Sequence, residues 1–130
     1  MEKINNKLVT LKKNKEFTFV YHRGKSCATR RMVLIYFKNR YGGIRSGFSV
    51  SKKVGKAVVR NKVRRRMKEC MREMLGEMTA QNANLIFVAR ACIAEATYSE
   101  IRKDMRYLLK KAGLLVTEKS GPTTGSGQLV

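Results

Sequence analysis

The sequence predicts an α/β fold of the α+β two-layer sandwich type, with a four-stranded sheet and three helices packed mainly on one side of it. Two observations support this fold class. Residues 32–37 and 84–90 are apolar on both faces and rich in β-branched and aromatic side chains, as buried strands are. Two longer segments, which begin near Lys56 and at Thr97, instead carry apolar residues at helical spacing. The predicted order of elements is α-β-β-β-α-β-α.

The first half of the chain holds one predicted helix and three predicted strands. The helix covers residues 15–22, with Asn14 as its N-cap and Gly24 closing it. The strands are at residues 25–28, 32–37 and 44–52. Because Asn and Gly residues form a turn at 39–43, we expect the second and third strands to pair as a hairpin.

The second half of the chain alternates helix, strand and helix. A long helix is predicted at residues 56–78 and a strand at 84–90. The last helix begins at Thr97, where a capping box with Glu100 is expected, and stops at Gly113.

The chain length fits a single domain. We place this domain at residues 1–117, with residues 1–13 loosely ordered because they show no period. Residues 118–130 are rich in Gly, Ser and Thr and are predicted to form a flexible tail.

The charge balance points to a polyanionic partner. The chain has 29 Lys and Arg against 9 Asp and Glu, a formal net charge of +20. Self-repulsion of this size favours nucleic acid as the partner, with an anionic membrane surface as the alternative. No apolar run approaches the roughly 20 residues that span a bilayer, and the N-terminus lacks the apolar core of a signal peptide. We therefore expect a cytoplasmic protein that does not bind membranes.

The three cysteines show no metal-site or redox spacing. Cys27, Cys70 and Cys92 are far apart, and no C-x-x-C pattern or suitably spaced His accompanies them. We expect them to be reduced, partly buried apolar residues.

The helix predicted at 56–78 has two distinct faces. On a helical wheel its apolar stripe is formed by Val59, Val63, Met67, Cys70, Met71, Met74 and Met78. The opposite side carries Asn61, Arg64, Arg65, Lys68 and Arg72. Between Lys52 and Arg72 there are ten Lys or Arg and one acid, Glu69. The alternative is an ordinary solvated helix, but like charges at i, i+4 repel by a few tenths of a kcal/mol per pair, a cost that a row of phosphates would reverse.

No catalytic site is predicted in the chain. His22 is the single His and has no nearby carboxylate in the sequence. Glu69, Glu73 and Glu77 follow one another at i, i+4 and could suggest a two-metal site. We expect them instead to offset neighbouring cations such as Arg72.

The residues around the long helix carry a resemblance to a known family. The run from Phe48 to Arg65, FSVSKKVGKAVVRNKVRR, resembles the signature of the protein subunit of bacterial ribonuclease P. The segment LKKNKEF at 11–17, followed by Tyr21 and Gly24, and the segment IFVAR at 86–90 resemble the same family.

The resemblance implies a function that composition cannot supply. The family's protein is a cofactor of the ribonuclease P ribozyme, an endoribonuclease that removes the 5′ leader of precursor tRNA. It implies that the partners are the catalytic RNA subunit and precursor tRNA, that Mg2+ is held by the RNA subunit, and that the chain alone is not catalytic. It also implies that the long helix forms a left-handed βαβ crossover, whereas the general rule favours a right-handed one.

Site residues follow from the same resemblance. The implied RNA-binding residues are Lys52, Lys53, Lys56, Arg60, Asn61, Lys62, Arg64, Arg65 and Lys68. The implied leader-binding cleft contains Phe17, Tyr21, Ser49 and Lys53. Two alternatives remain: Phe17 and Tyr21 could belong to the core, and the chain could be a structural or chaperone-like RNA binder of the ribosomal type.

Overall fold

The computed structural model describes residues 8–11, 14–39, 43–78 and 82–115. In chain order its elements are β1 Val9–Thr10, α1 Asn14–Arg23, β2 Lys25–Ala28, β3 Met32–Lys38, β4 Ile44–Ser49, α2 Ala57–Met74, β5 Ala83–Ala89 and α3 Tyr98–Lys111. Short 3₁₀ turns cover Leu75–Glu77 and Ala91–Glu95. The α+β class and the three helices are confirmed. The predicted tail at 118–130 lies outside the described residues.

The sheet has five strands, one more than the sequence predicted. Its order is β1-β4-β5-β3-β2. The additional strand β1 runs parallel to β4, with Val9 opposite Arg45 and Thr10 opposite Ser46. The Leu11 N–H extends the pairing by donating to the Ser46 carbonyl oxygen at 2.9 Å. Two residues are too few to show a strand period, which is why this part of the predicted irregular segment was missed.

The predicted hairpin between β3 and β4 is wrong, because β5 lies between these two strands. Ala83 at the start of β5 is flanked by Lys38 on one side and Ile44 on the other. The β5 strand is antiparallel to β3 and parallel to β4. Since β5 is almost entirely buried, it takes the central position that covers both of its faces.

The long helix α2 is the crossover that joins the parallel neighbours β4 and β5. It ends at Met74 and continues only as a 3₁₀ turn, so it is shorter than the predicted 56–78. The left hand of this crossover stays a prediction from the resemblance.

Helices cover both faces of the sheet. One face packs against α2 and α3 and forms the main core, which includes Leu34, Phe87 and Met105. The other face packs against α1 through a smaller cluster centred on Val20 and Ile86. Two of the three helices, α2 and α3, therefore lie on the same side of the sheet, and α1 lies on the other side.

Two sets of polar contacts hold α3: a capping box at its start and an ion pair with the 3₁₀ turn that follows α2. The predicted capping box is present, with the Glu100 N–H donating to Thr97 Oγ1 at 3.1 Å and the Thr97 N–H donating to Glu100 Oε1 at 2.9 Å. The Arg106 guanidinium donates to both carboxylate oxygens of Glu77, at 2.7 and 3.0 Å. These hydrogen bonds hold the pKa of the Glu77 carboxyl below its usual range.

The cysteines differ in exposure. Cys70 is buried in the main core and Cys27 is half-buried, as expected. Cys92 is exposed, so the expectation of burial is wrong for it. It lies in the turn after β5, Ala91–Glu95, whose side chains are not constrained by a strand or helix period.

Replacing Glu77 with Gln should weaken the acid dependence of folding stability. Because Arg106 lowers the pKa of Glu77 in the folded state, the ionised form stabilises the fold above the pKa of the unfolded chain, about 4.3. That stabilisation disappears as the pH falls through the lower pKa of the folded state. Urea unfolding between about pH 5 and pH 3 should show a shallower fall in the free energy of unfolding for Glu77→Gln than for the unmodified chain.

The matched control is Glu95→Gln, which removes an exposed carboxylate from the turn after β5. This variant should keep the original pH dependence. If Glu77→Gln also keeps it, the ion pair with Arg106 does not contribute to stability in solution.

Candidate nucleic-acid interface

The predicted RNA-binding residues form one continuous surface, which we call the basic face. It begins in the turn 52–55 and continues along α2 as far as Lys68. Most of its side chains are exposed, and three are half-buried: Arg60, Arg64 and Lys68. Its members are Lys52, Lys53, Lys56, Arg60, Asn61, Lys62, Arg64, Arg65 and Lys68.

The orientation of the basic face follows from the apolar stripe on the other side of α2. The buried residues of the helix are Val63, Met67, Cys70, Met71 and Met74. All five belong to the predicted stripe and pack into the main core. Because the stripe is held against the sheet and α3, the cations on the opposite side of the helix must face outward.

The basic face is not neutralised by neighbouring carboxylates. The ion pairs given for the described residues engage five other arginines: Arg31, Arg45, Arg72, Arg102 and Arg106. Within the described part of the chain, none engages a cation between residues 52 and 68. The first turn of α2 contains no acidic residue, so the positive end of the helix dipole adds to the same potential.

Local hydrogen bonds orient two of the cations. Arg60 Nε donates to the Gly55 carbonyl oxygen at 3.1 Å and so fastens the preceding turn to the helix. Arg64 Nη1 donates to Asn61 Oδ1 at 2.9 Å, which aligns two neighbouring side chains of the basic face. Each guanidinium keeps further N–H donors that can bind an oxyanion.

The predicted cleft residues lie on the α1 side of the sheet. Phe17 is half-buried, and its ring lies so close to Gly47 that a Cβ there would be 2.7 Å from two ring atoms. Tyr21, one turn further along α1, is 46% exposed. Ser49 pairs with Val88, which packs against the α1 cluster, so it faces the same side. Lys53 is exposed in the following turn.

The predicted alternative, in which both aromatic residues belong to the core, therefore applies only in part. Phe17 contributes to the small apolar cluster under α1 while keeping part of its ring accessible. Tyr21 is one of the exposed large apolar residues of the described chain. A glycine at position 47 is what allows the ring of Phe17 to approach the strand.

A small cavity lies between one predicted cleft residue, Phe17, and two cations of the basic face. It has a volume of about 180 Å³, and its lining includes Phe17, Ser46, Gly47, Phe48, Arg64 and Lys68. Arg64 and Lys68 come from α2 and Phe17 from α1, so the cavity brings together side chains from both faces of the sheet beside β1 and β4. The hydroxyl of Ser46 is buried and has no hydrogen-bond partner. Sequence reasoning missed this cavity because its walls come from elements far apart in the chain.

The acidic residues of α2 are engaged by cations, as the sequence analysis expected for them. Glu69 pairs with Arg72, and Glu73 pairs with Arg102 at 2.9 Å. Hydrogen bonds from the Tyr98 hydroxyl and then from Arg102 hold the pKa of Glu73 below its usual range.

Among the described residues there is no group of three or more His, Cys, Asp or Glu that could hold a metal ion. Within that same part of the chain, no helix is long and apolar enough to cross a membrane.

Comparisons with known proteins agree with this geometry. The family model described as Ribonuclease P matches residues 6–113. The ribonuclease P protein component of Clostridium botulinum (strain 657 / Type Ba4) is 48% identical over 104 residues, which cover 80% of this chain and 94% of that protein. The corresponding protein of Caldanaerobacter subterraneus subsp. tengcongensis is 43% identical over 111 residues, covering 85% of this chain and 95% of the relative.

Solved structures show the same fold. The RNase P protein of Staphylococcus aureus superposes with a TM-score of 0.77 at 32% identity, covering 85% of this chain and all of that one, 100%. The RNase P protein of Thermotoga maritima superposes with a TM-score of 0.71 at 25% identity, covering 78% of this chain and 96% of that one. The chain therefore belongs to the ribonuclease P protein family: it is similar throughout its described core to the protein component of that tRNA-processing ribonucleoprotein endoribonuclease, and its partner is the RNA subunit.

Proposed function

We propose that this chain binds the catalytic RNA of ribonuclease P through its basic face and the 5′ leader of precursor tRNA in the cleft beside α1. In this way it promotes maturation of the tRNA 5′ end. The observation that carries the proposal is the junction between the two surfaces. Two cations of α2 without carboxylate partners among the described residues, Arg64 and Lys68, line the same cavity beside β4 as the aromatic ring of Phe17 on α1.

The basic face suits a folded RNA because phosphates would offset its internal repulsion. Arg60, Arg64 and Lys68 follow one another at i, i+4 on α2. Each of these like-charge pairs destabilises the helix of the free protein by about 0.2–0.5 kcal/mol. Bound phosphates convert this cost into attraction, and each neutralised phosphate releases counterions into solution. The planar guanidinium groups of Arg64 and Arg65 also allow bidentate contacts to phosphate oxygens.

The cleft suits a single strand because it combines an aromatic surface with nearby cations. The exposed ring of Tyr21 offers a face for base stacking, worth about 1–3 kcal/mol per base. The half-buried ring of Phe17 is held in position by the contact with Gly47. Lys53 and the Ser49 hydroxyl can bind the backbone of the strand on the other side.

We assign catalysis to the RNA subunit. Mg2+ held by that RNA would activate the attacking water and stabilise the leaving oxygen of the phosphodiester. The side chains of this chain support that division. Glu69, Glu73 and Glu77 are each bound by an arginine, and His22 is exposed at the end of α1. The role of the chain is to bind and position RNA.

Reconstitution of cleavage tests the proposal against the alternative, a purely structural RNA binder. The full chain should be added to the catalytic RNA at a magnesium concentration too low for the RNA alone. Cleavage of precursor tRNA at the mature 5′ end should be restored. No gain over RNA alone would favour the structural binder and contradict the proposal.

The protein without RNA is the necessary control. Cleavage by the protein itself has to be tested, because a solved Staphylococcus aureus RNase P protein is a mutant with defective mRNA degradation activity. We expect no cleavage of precursor tRNA when this chain is incubated alone with magnesium. Cleavage by the chain alone would contradict the assignment of catalysis to the RNA.

Replacing Arg65 with Ala should lower the salt dependence of binding to the catalytic RNA. Arg65 is exposed at the centre of the basic face, and each lost phosphate contact reduces the slope of log affinity against log salt by about 0.7–0.9. Dissociation constants measured across a salt series report this slope. The control Lys103→Ala removes an exposed cation from α3 and should leave the slope unchanged. An unchanged slope for Arg65→Ala would show that its side chain does not reach phosphate.

Replacing Tyr21 with Ala should weaken binding of precursor tRNA to the reconstituted enzyme without affecting mature tRNA. Loss of one stacked base corresponds to about 1–3 kcal/mol, and only the precursor has a leader to stack. The matched control is Tyr107→Ala, because Tyr107 on α3 is 50% exposed and Tyr21 is 46% exposed. Equal losses of affinity for precursor and mature tRNA would show that Tyr21 does not contact the leader.

A further inference from the structure

A second and larger cavity lies at the other edge of the sheet. It has a volume of about 350 Å³ and is lined by Arg23, Lys25, Tyr36, Phe37, Lys38 and Ala112. These residues belong to β2, β3 and the C-terminal ends of α1 and α3. The cavity beside the basic face is bounded by β1, β4, α1 and α2, and β5 separates the two strand pairs. The two cavities share no lining residue.

The larger cavity is strongly cationic. Arg23, Lys25 and Lys38 line it, and no carboxylate is among its lining residues. The last turn of α3 adds Lys110 and Lys111 nearby. Part of this positive charge is offset by the C-terminal ends of α1 and α3, because the C-terminus of a helix carries a partial negative charge. The two helix ends together contribute only about one negative elementary charge. The three cations that line the cavity therefore leave it with an excess of positive charge.

The walls of the cavity include fixed aromatic rings. Phe37 is held by an edge-to-face contact with Phe19, with ring centroids 5.0 Å apart and an interplanar angle of 85°. Phe19 does not line the cavity and is itself 45% exposed. Tyr36, the neighbour of Phe37 on β3, is half-buried and packs against the main core.

The size and chemistry of the cavity together indicate one class of ligand. Its volume falls in the range of small-molecule pockets, about 300–1,000 Å³, and exceeds what a bare phosphate needs. Cations bind phosphate, and an aromatic wall binds the flat face of a base. We propose that this cavity binds one unpaired nucleotide of an RNA strand, with the phosphate held by Arg23, Lys25 and Lys38 and the base against the aromatic wall.

This site is distinct from the leader cleft and does not depend on it. The leader cleft lies beside β4, whereas the nucleotide cavity lies between β2, β3 and the end of α3. A chain that binds RNA at both places would contact it at both edges of the sheet. Failure of the nucleotide cavity would leave the proposed function of the basic face intact.

Nuclear magnetic resonance of the full chain tests the proposal with 5′-adenosine monophosphate as the probe. Saturable shifts are expected for the backbone amides of Lys25, Phe37 and Lys38. Inorganic phosphate should shift the same amides with weaker affinity, because it lacks a base. Shifts confined to the basic face, or equal affinities for the two probes, would overturn the proposal.

Variants localise the binding. The double variant Lys25→Ala with Lys38→Ala should weaken binding of the probe by about tenfold, through loss of two phosphate contacts. The single variant Lys25→Ala, at an exposed position on the edge strand β2, should show part of the same loss. The control Lys15→Ala with Lys103→Ala removes two other exposed cations and should leave the affinity within about twofold. An equal loss of affinity in the control would show that binding depends only on the net charge of the protein, and it would overturn the proposal.

Discussion

The interaction on which the rest of the structure depends is the packing of the α2 apolar stripe into the main core. The same helix carries a row of like charges on its other side, which repel one another in the free protein. Burial of Val63, Met67, Cys70, Met71 and Met74 stabilises the helix against that repulsion. Each buried side chain of this size contributes about 1.5–3 kcal/mol, whereas each like-charge pair on a helix costs about 0.2–0.5 kcal/mol. The stripe therefore decides the orientation, and the cations are presented to solvent.

The position of α2 in the chain gives this packing a second consequence. Because α2 joins the parallel strands β4 and β5, its first turns must lie beyond the end of β4. The turn 52–55 and the start of the helix therefore lie just after the end of β4. Arg64 and Lys68 reach the cavity that Phe17 also lines. Phe17, one of the residues predicted for the leader cleft, therefore lies at the same cavity as two cations of this helix.

The features that could be predicted from the sequence are those set by local patterns. The stripe of α2, the capping box at Thr97 and the buried strands β3 and β5 all depend on residues close together in the chain. The expected basic face is continuous because its members share one helix and the turn before it. These elements follow from periodicity and side-chain chemistry, which do not require knowledge of the partners across the sheet.

The features that could not be predicted depend on contacts between distant segments. In the structure β5 lies between β3 and β4, so the hairpin expected from the predicted turn at 39–43 does not form. Strand β1 exists only because β4 offers a free edge to pair with. The aromatic pair of Phe19 and Phe37 joins α1 to β3, and both cavities are bounded by elements far apart in the chain. The local sequence therefore predicts the basic face but not the two cavities, whose walls come from distant segments.

The central claim is that the chain anchors itself to one RNA while its cleft holds the leader of another. The most direct test measures how much the protein increases the affinity of the catalytic RNA for precursor tRNA as the leader is shortened one nucleotide at a time. The account predicts that the gain falls stepwise as nucleotides leave the cleft and disappears for mature tRNA. A gain of the same size for mature tRNA would contradict it.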